Sequence, residues 1–189
     1  MKRLKEQINQ YVGLFIKPKQ TLSDKSRLIL EQYIYLNGKR YRMKVAHPSD
    51  APILVELQKL CYSHDAIWSE ELLFNEMSYH SNCLYLIMYD RDLPIAFIGS
   101  WIKGDECHVS NIVTRPSYQR QGIGYCLLSQ VERIARMSGC QYYTLEVRVS
   151  NIKAQRLYKT YGFKPVGYKT RYYSNDLEDA VDMTKRLNE

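Results

Sequence analysis

Gly122 and Gly124 follow a strand-like run and precede a helix-like one, and that placement can hold a phosphate. The run before them, Val109 to Thr114, is β-branched and apolar, and Arg115-Pro116-Ser117 interrupts it as a turn would. After Gly124, apolar residues recur at 127, 128, 131, 134 and 135, which is helical spacing, and Gly139 ends the pattern. A helix N-terminus leaves N–H groups unpaired at the positive end of its dipole, and glycines let a ligand approach them. Two further groups could move protons. Glu146 is a carboxylate inside the alternating strand Tyr142 to Val149, on the opposite side from Leu145, Val147 and Val149. Tyr158 shares a helix face with Ala154, Leu157 and Tyr161, where it either points at a ligand or fills the core.

The glycine pair does not fit the dinucleotide fingerprint, because no third glycine stands at 127, and it lacks the Gly-Lys-Ser/Thr of a nucleotide-triphosphate loop. Its neighbours carry more. Ser150-Asn151 caps a helix from Ile152 to Tyr161, with Gly162 just past its end. Taken together, Asn111-Ile112-Val113-Thr114, the Gln119 to Gly124 loop, Leu145 to Asn151, Leu157-Tyr158, Tyr161-Gly162-Phe163 and the run Glu178 to Met183 resemble the GNAT acetyltransferases. The likeness extends over residues 43 to 187 and is greatest to the RimI-like branch, whose members acetylate the N-terminal alanine of a ribosomal protein.

That resemblance implies an α/β GNAT fold, a mixed central β-sheet flanked by helices. It implies acetyl-CoA as co-substrate, with the amides of Arg120, Gln121, Gly122, Ile123, Gly124 and Tyr125 on the pyrophosphate and Ile112, Val113 and Thr114 pairing with the pantetheine arm. Pantetheine carries amides, so an open strand edge can bind it as one more strand. Asn151 either hydrogen-bonds that arm or serves only as a helix cap. An α-amino group titrates near pH 8 and needs a base before it can attack a thioester. The resemblance assigns that role to Glu146, directly or through a water, and makes Tyr158 the acid for the departing thiolate. A carboxylate of ordinary pKa is a weak base here, so the assignment expects burial to raise Glu146. His64, His80 and His108 are alternative bases, and Glu146 paired only with Arg148 or another cation is the structural alternative.

The five cysteines, at 61, 83, 107, 126 and 140, form no Cys-x-x-Cys pair, which argues against a zinc site and suits a reducing cytoplasm. No metal is expected. No apolar run approaches the ~18 residues of a membrane span. The 189-residue chain carries a net charge of +7, and residues 1–44 alone hold eleven Lys/Arg against three Asp/Glu. The remainder is near neutral, so it does not repel a basic ribosomal-protein N-terminus as acceptor. We divide the chain into a basic N-terminal extension, 1–42, and a GNAT domain, 43–189.

Within the extension, Leu4, Ile8, Val12 and Phe15 share one face of a basic helix that either docks on the domain or a partner, or contacts ribosomal RNA or another acidic surface. Leu28 to Leu36, Asn37-Gly38 and Lys39 to Ala46 read as a β-hairpin. Asp50 is expected to cap a helix from Ala51 to Cys61, and Trp68-Ser69-Glu70-Glu71 to open the next. Acceptor loops are expected near 62–70 and 168–176, the second bearing Tyr172 and Tyr173. Ile67 stands where RimI-like sequences usually place proline. Acceptors other than an N-terminal alanine (a lysine side chain, a small amine, other protein N-termini) share these residues, as does a non-catalytic acetyl-CoA-binding module.

Overall fold

The computed structural model describes residues 31–62 and 68–188. The amphipathic pattern at Leu4 to Phe15 lies outside them. Strands β1 (Glu31–Leu36) and β2 (Lys39–Val45) form the expected hairpin, turning through Asn37 and Gly38 at φ 51° and 76°, the left-handed values an Asn-Gly turn requires. Two helices follow, α1 (Ala51–Lys59) and α2 (Glu70–Tyr79), then strands β3 (Cys83–Asp90), β4 (Leu93–Lys103) and β5 (Glu106–Thr114). The chain continues through α3 (Ile123–Met137), β6 (Tyr142–Arg148), α4 (Ile152–Tyr161), β7 (Lys164–Tyr173) and β8 (Glu178–Arg186).

The eight strands make one sheet in the order β1-β2-β3-β4-β5-β6-β8-β7. Strands β5 and β6 run parallel and the other neighbours antiparallel, which is the mixed α/β sheet expected. Alternation along each strand feeds two cores. Leu84, Leu86 and Met88 of β3 pack with Leu127, Leu128 and Val131 of α3 and with Tyr158 and Tyr161 of α4. Tyr85, Ile87 and Tyr89, on the other face, pack with Leu54 and Leu57 of α1 and Leu73 of α2.

One cap differs from expectation. Ser69 caps α2 through Leu72 N–H, but Asp50 makes no side-chain cap on α1. Its carboxylate is already engaged, accepting from the His47 amide at 2.8 Å and from Lys44 Nζ at 2.9 Å. The lysine contact adds an opposite charge to the hydrogen bond, and it pins β2 to the start of α1.

Two register features open the sheet. Gly99 pairs with Asn111 and Ser100 with Val109, so Ser110 is an extra residue in β5. Gly99 is required there, because a Cβ would stand 2.3 Å from the Tyr85 ring. Just beyond, the β5–β6 pairing ends: it runs from Glu106↔Tyr142 to Val109↔Leu145 and no further. Both strands continue without pairing, which leaves a wedge with Glu146 one residue past its vertex.

Candidate active site

The wedge has a glycine loop at its mouth. Arg120 and Gly122 take φ 62° and 84°, which reverse the chain into α3, and the first bond of that helix runs from Cys126 N–H to the Gly122 carbonyl at 2.9 Å. The N–H groups of Ile123, Gly124 and Tyr125 therefore lie ahead of the helical ladder, where an anion can accept them. A Cβ on Gly124 would come within 3.0 Å of Leu157 Cδ2, so this glycine lets α3 approach α4. The loop is also held from outside the motif: Asn37 Nδ2, in the hairpin turn, donates to the Gln121 carbonyl at 3.1 Å.

The inner edge of β5 faces the wedge. Arg115 N–H bonds the Ile95 carbonyl at 2.8 Å, and antiparallel alternation then turns Val113 toward β4 and the backbone of Ile112 and Thr114 away from it. Tyr62, just beyond α1, donates its hydroxyl to the Ile112 carbonyl at 2.8 Å, and Cys61 Sγ lies 3.3 Å from the Thr114 carbonyl. Asn151 Oδ1 accepts from Ala154 N–H at 3.1 Å, so of its two expected roles the cap is the one occupied.

Glu146 lies on the face opposite α3, with its side chain 10% exposed. Its Oε2 is 3.1 Å from His108 Nε2, and Lys169 Nζ donates to its Oε1. Lys169 also reaches Asp182 at 3.4 Å, the residue paired with Glu146 across β6 and β8. Behind His108, Nδ1 is 2.8 Å from Thr144 Oγ1, whose hydroxyl donates to Glu106 Oε1 at 2.5 Å. The imidazole stacks on Trp101 with ring centres 4.7 Å apart.

The expected raising of Glu146 does not hold. Burial does push its carboxyl up, but the hydrogen bond and charge of a protonated His108, followed by those of Lys169, outweigh it and bring the pKa down to about 2. Arg148 is not its partner: that guanidinium binds Asp176 at 2.7 Å and Glu178 at 2.6 Å and lies 3.9 Å over the Tyr173 ring.

Tyr158 is 5% exposed within the core that α3 and α4 share with the sheet, and burial, then the proximity of Tyr62 and Tyr173, raise its phenol far above the ordinary value. It stays protonated at physiological pH. Tyr172 is raised in the same direction, chiefly by burial and then by the Glu146 charge. The fold thus brings Glu146, His108, Tyr172 and Tyr173 to one side of the wedge and the glycine loop to its mouth, whereas His80 ends α2 and His64 lies outside the described residues.

Lys169, Thr144 and Tyr62 are functional candidates that sequence reasoning did not single out. Thr144 had a visible signal, since it alternates with Glu146 on the same strand face. Lys169 lies within the expected acceptor segment 168–176 but was not distinguished there, because a two-residue excess in β7 between Lys169↔Ala180 and Tyr173↔Glu178, with Arg171 at φ 52°, sets its position.

A parallel pair that splays beside a helix-capping glycine loop defines a class. The acetyltransferase (GNAT) family profile matches residues 51–163; the chain belongs to that family and is an acetyl-CoA-dependent acyltransferase. Among its relatives are RimI-type enzymes. It is 31% identical over 122 residues to a putative ribosomal protein bS18-alanine N-acetyltransferase of Bacillus subtilis, spanning 65% of this chain and 81% of that one. To the ribosomal protein bS18-alanine N-acetyltransferase of Escherichia coli K12 it is 37% identical over 123 residues, 64% of this chain and 82% of the relative. The crystal structure of the Escherichia coli ribosomal-protein-S18-alanine N-acetyltransferase superposes with a TM-score of 0.69 at 27% identity, covering 78% and 94% of the two chains. Arabidopsis thaliana NAA60, solved with acetyl-CoA, shares the fold at a TM-score of 0.68 and 17% identity, over 79% and 99%.

Proposed function

We propose that this protein transfers the acetyl group of acetyl-CoA to the α-amino group of a basic protein N-terminus, with an alanine-starting ribosomal protein as acceptor. The observation that carries the reading is Glu146 beside the wedge vertex, already holding an ammonium, that of Lys169, together with Asp182. A site that binds a lysine ammonium suits the ammonium of a peptide N-terminus. The RimI-type relatives support the alanine acceptor.

When bound, acetyl-CoA supplies a thioester that an amine attacks directly. The free N–H groups of Ile123, Gly124 and Tyr125 suit its pyrophosphate, with Arg120, Gln121 and Gly122 shaping the turn that presents them. The backbone of Ile112 and Thr114, with Val113 between them, suits the pantetheine amides, which would displace the Tyr62 hydroxyl from Ile112. Asn151 keeps α4 capped and need not touch the arm. Glu146 orients the acceptor ammonium and receives its proton. Tyr158 donates a hydrogen bond to the departing sulfur: a phenol raised this far releases its proton reluctantly, so stabilising the thiolate is its main contribution. Tyr172 and Tyr173 flank the acceptor.

The test is acetyl transfer from labelled acetyl-CoA to three acceptors: an alanine-starting basic peptide, the same peptide with a blocked N-terminus and an internal lysine, and a small polyamine. We expect one acetyl group on the α-amine of the first peptide and little on the others. Transfer confined to the lysine or the polyamine would replace the acceptor, and tight acetyl-CoA binding without transfer would make the chain a binding module.

A further inference from the structure

The contacts around His108 fix which of its nitrogens carries a proton. Thr144 has one hydroxyl proton and gives it to Glu106 Oε1 at 2.5 Å. Its oxygen must then accept at the 2.8 Å contact with His108, so Nδ1 is the N–H end of the ring. In the neutral ring, Nε2 is left as a lone pair, and it faces the Glu146 Oε2 carboxylate oxygen at 3.1 Å. Two acceptors at that distance repel unless a proton lies between them. Trp101 stacks on the ring and the His108 side chain is only 12% exposed, so rotation does not relieve the contact.

We propose that Glu146 and His108 act as one proton-accepting pair, in which the proton drawn from the acceptor amine at Glu146 comes to rest on Nε2 of His108. The inference rests on the reading of Glu146 as the acceptor's proton partner. One N–H bond of the ammonium breaks, its electron pair stays on the amine nitrogen for attack, and one N–H bond forms at Nε2. Nothing is oxidised or reduced. The product is an imidazolium beside a carboxylate, with the former repulsion turned into a charge-assisted hydrogen bond.

Glu146 alone is a poor resting place. The Lys169 ammonium on its far oxygen favours the charged carboxylate, so a proton arriving at Glu146 passes on to the Nε2 lone pair 3.1 Å from Oε2. Every element around the ring contributes a facing group: Glu106 from β5, Thr144 and Glu146 from β6, Trp101 from β4, and Lys169 of β7, held by Asp182 of β8, on the far oxygen of Glu146. His108 acts through Glu146 and is in that sense a positioning and proton-holding residue. Thr144 and Glu106 set its tautomer.

The experiment measures kcat against pH for the full-length protein with one peptide acceptor, so that the acceptor's own ionisation is common to all variants. His108→Gln should lower kcat by about a hundredfold and move the acid limb down by at least about one pH unit, because only the carboxylate then titrates. Thr144→Val should move the limb the same way with about a tenfold loss, and Thr144→Ser should recover most of it. His108→Gln with wild-type kcat and limb overturns the pair. A loss in Thr144→Val with an unmoved limb and no recovery in Thr144→Ser overturns the tautomer argument. Glu146→Gln separates the layers: full activity in that variant defeats the reading of Glu146, whereas an inactive Glu146→Gln beside an unaltered His108→Gln defeats only the pair.

Discussion

Glu146→Gln removes a carboxylate that the folded protein holds far from its ordinary titration, and the consequence for stability can be worked out. The group moves from 4.5 to about 2, against burial that alone would raise it. With a protonated His108 as partner, that difference corresponds to about 3 kcal/mol of folding stability once the carboxyl is ionised. Because the folded value is depressed, the stability is fully present above about pH 4.5 and is lost as pH falls toward 2. Roughly half should remain at pH 3. Urea unfolding of wild type and Glu146→Gln at pH 5, 4 and 3 reads this directly. We expect a gap of about 3 kcal/mol at pH 5 that narrows to about half at pH 3. Glu132 and Glu178 are also lowered, but they are common to both proteins and cancel in the difference. A gap that stays constant across this range, or widens toward acid, would refute the claim that His108 and Lys169 hold the carboxylate down.

Two further outcomes are expected. Tyr158→Phe should lower kcat by about ten- to a hundredfold while acetyl-CoA binding, measured by calorimetry, is unchanged; full activity removes Tyr158 from the chemistry. Asn37→Gly keeps the left-handed turn but deletes the 3.1 Å bond to the Gln121 carbonyl, and should weaken acetyl-CoA binding about fivefold, in line with the loss of roughly 1 kcal/mol of support for the loop. Unchanged affinity there would show that the hairpin does not steady the loop.

What the sequence carries locally, it carried well. Gly122 and Gly162 mark the start of α3 and the end of α4 because both need φ above zero, at 84° and 108°, and the Asn37-Gly38 turn is legible for the same reason. Strand alternation correctly set Glu146 against Leu145 and Val147. The electrostatic setting of Glu146 was not legible, because it depends on pairings between segments distant in sequence. His108 meets Thr144 through the parallel register, and Lys169 arrives through an irregular stretch of β7. Burial could be anticipated from an apolar strand and its sign argued, and pairing with a cation stood as an alternative; which cations reverse that sign could not be read. Asp50 shows the same limit, since a residue suited to capping was claimed by Lys44 instead.

Strand β8 lies between β6 and β7, although it follows both in the chain. Glu146 lies beyond the last β5–β6 pair, and its own strand partner is Asp182. During synthesis, β6 must therefore wait with its outer edge unpaired until residues 178–186 have emerged, and Lys169 has no Asp182 to meet before then. A nascent chain of this protein can assemble its glycine loop early, but the cluster of Glu146, Lys169 and Asp182 forms last, so the two should arise as separate events in folding.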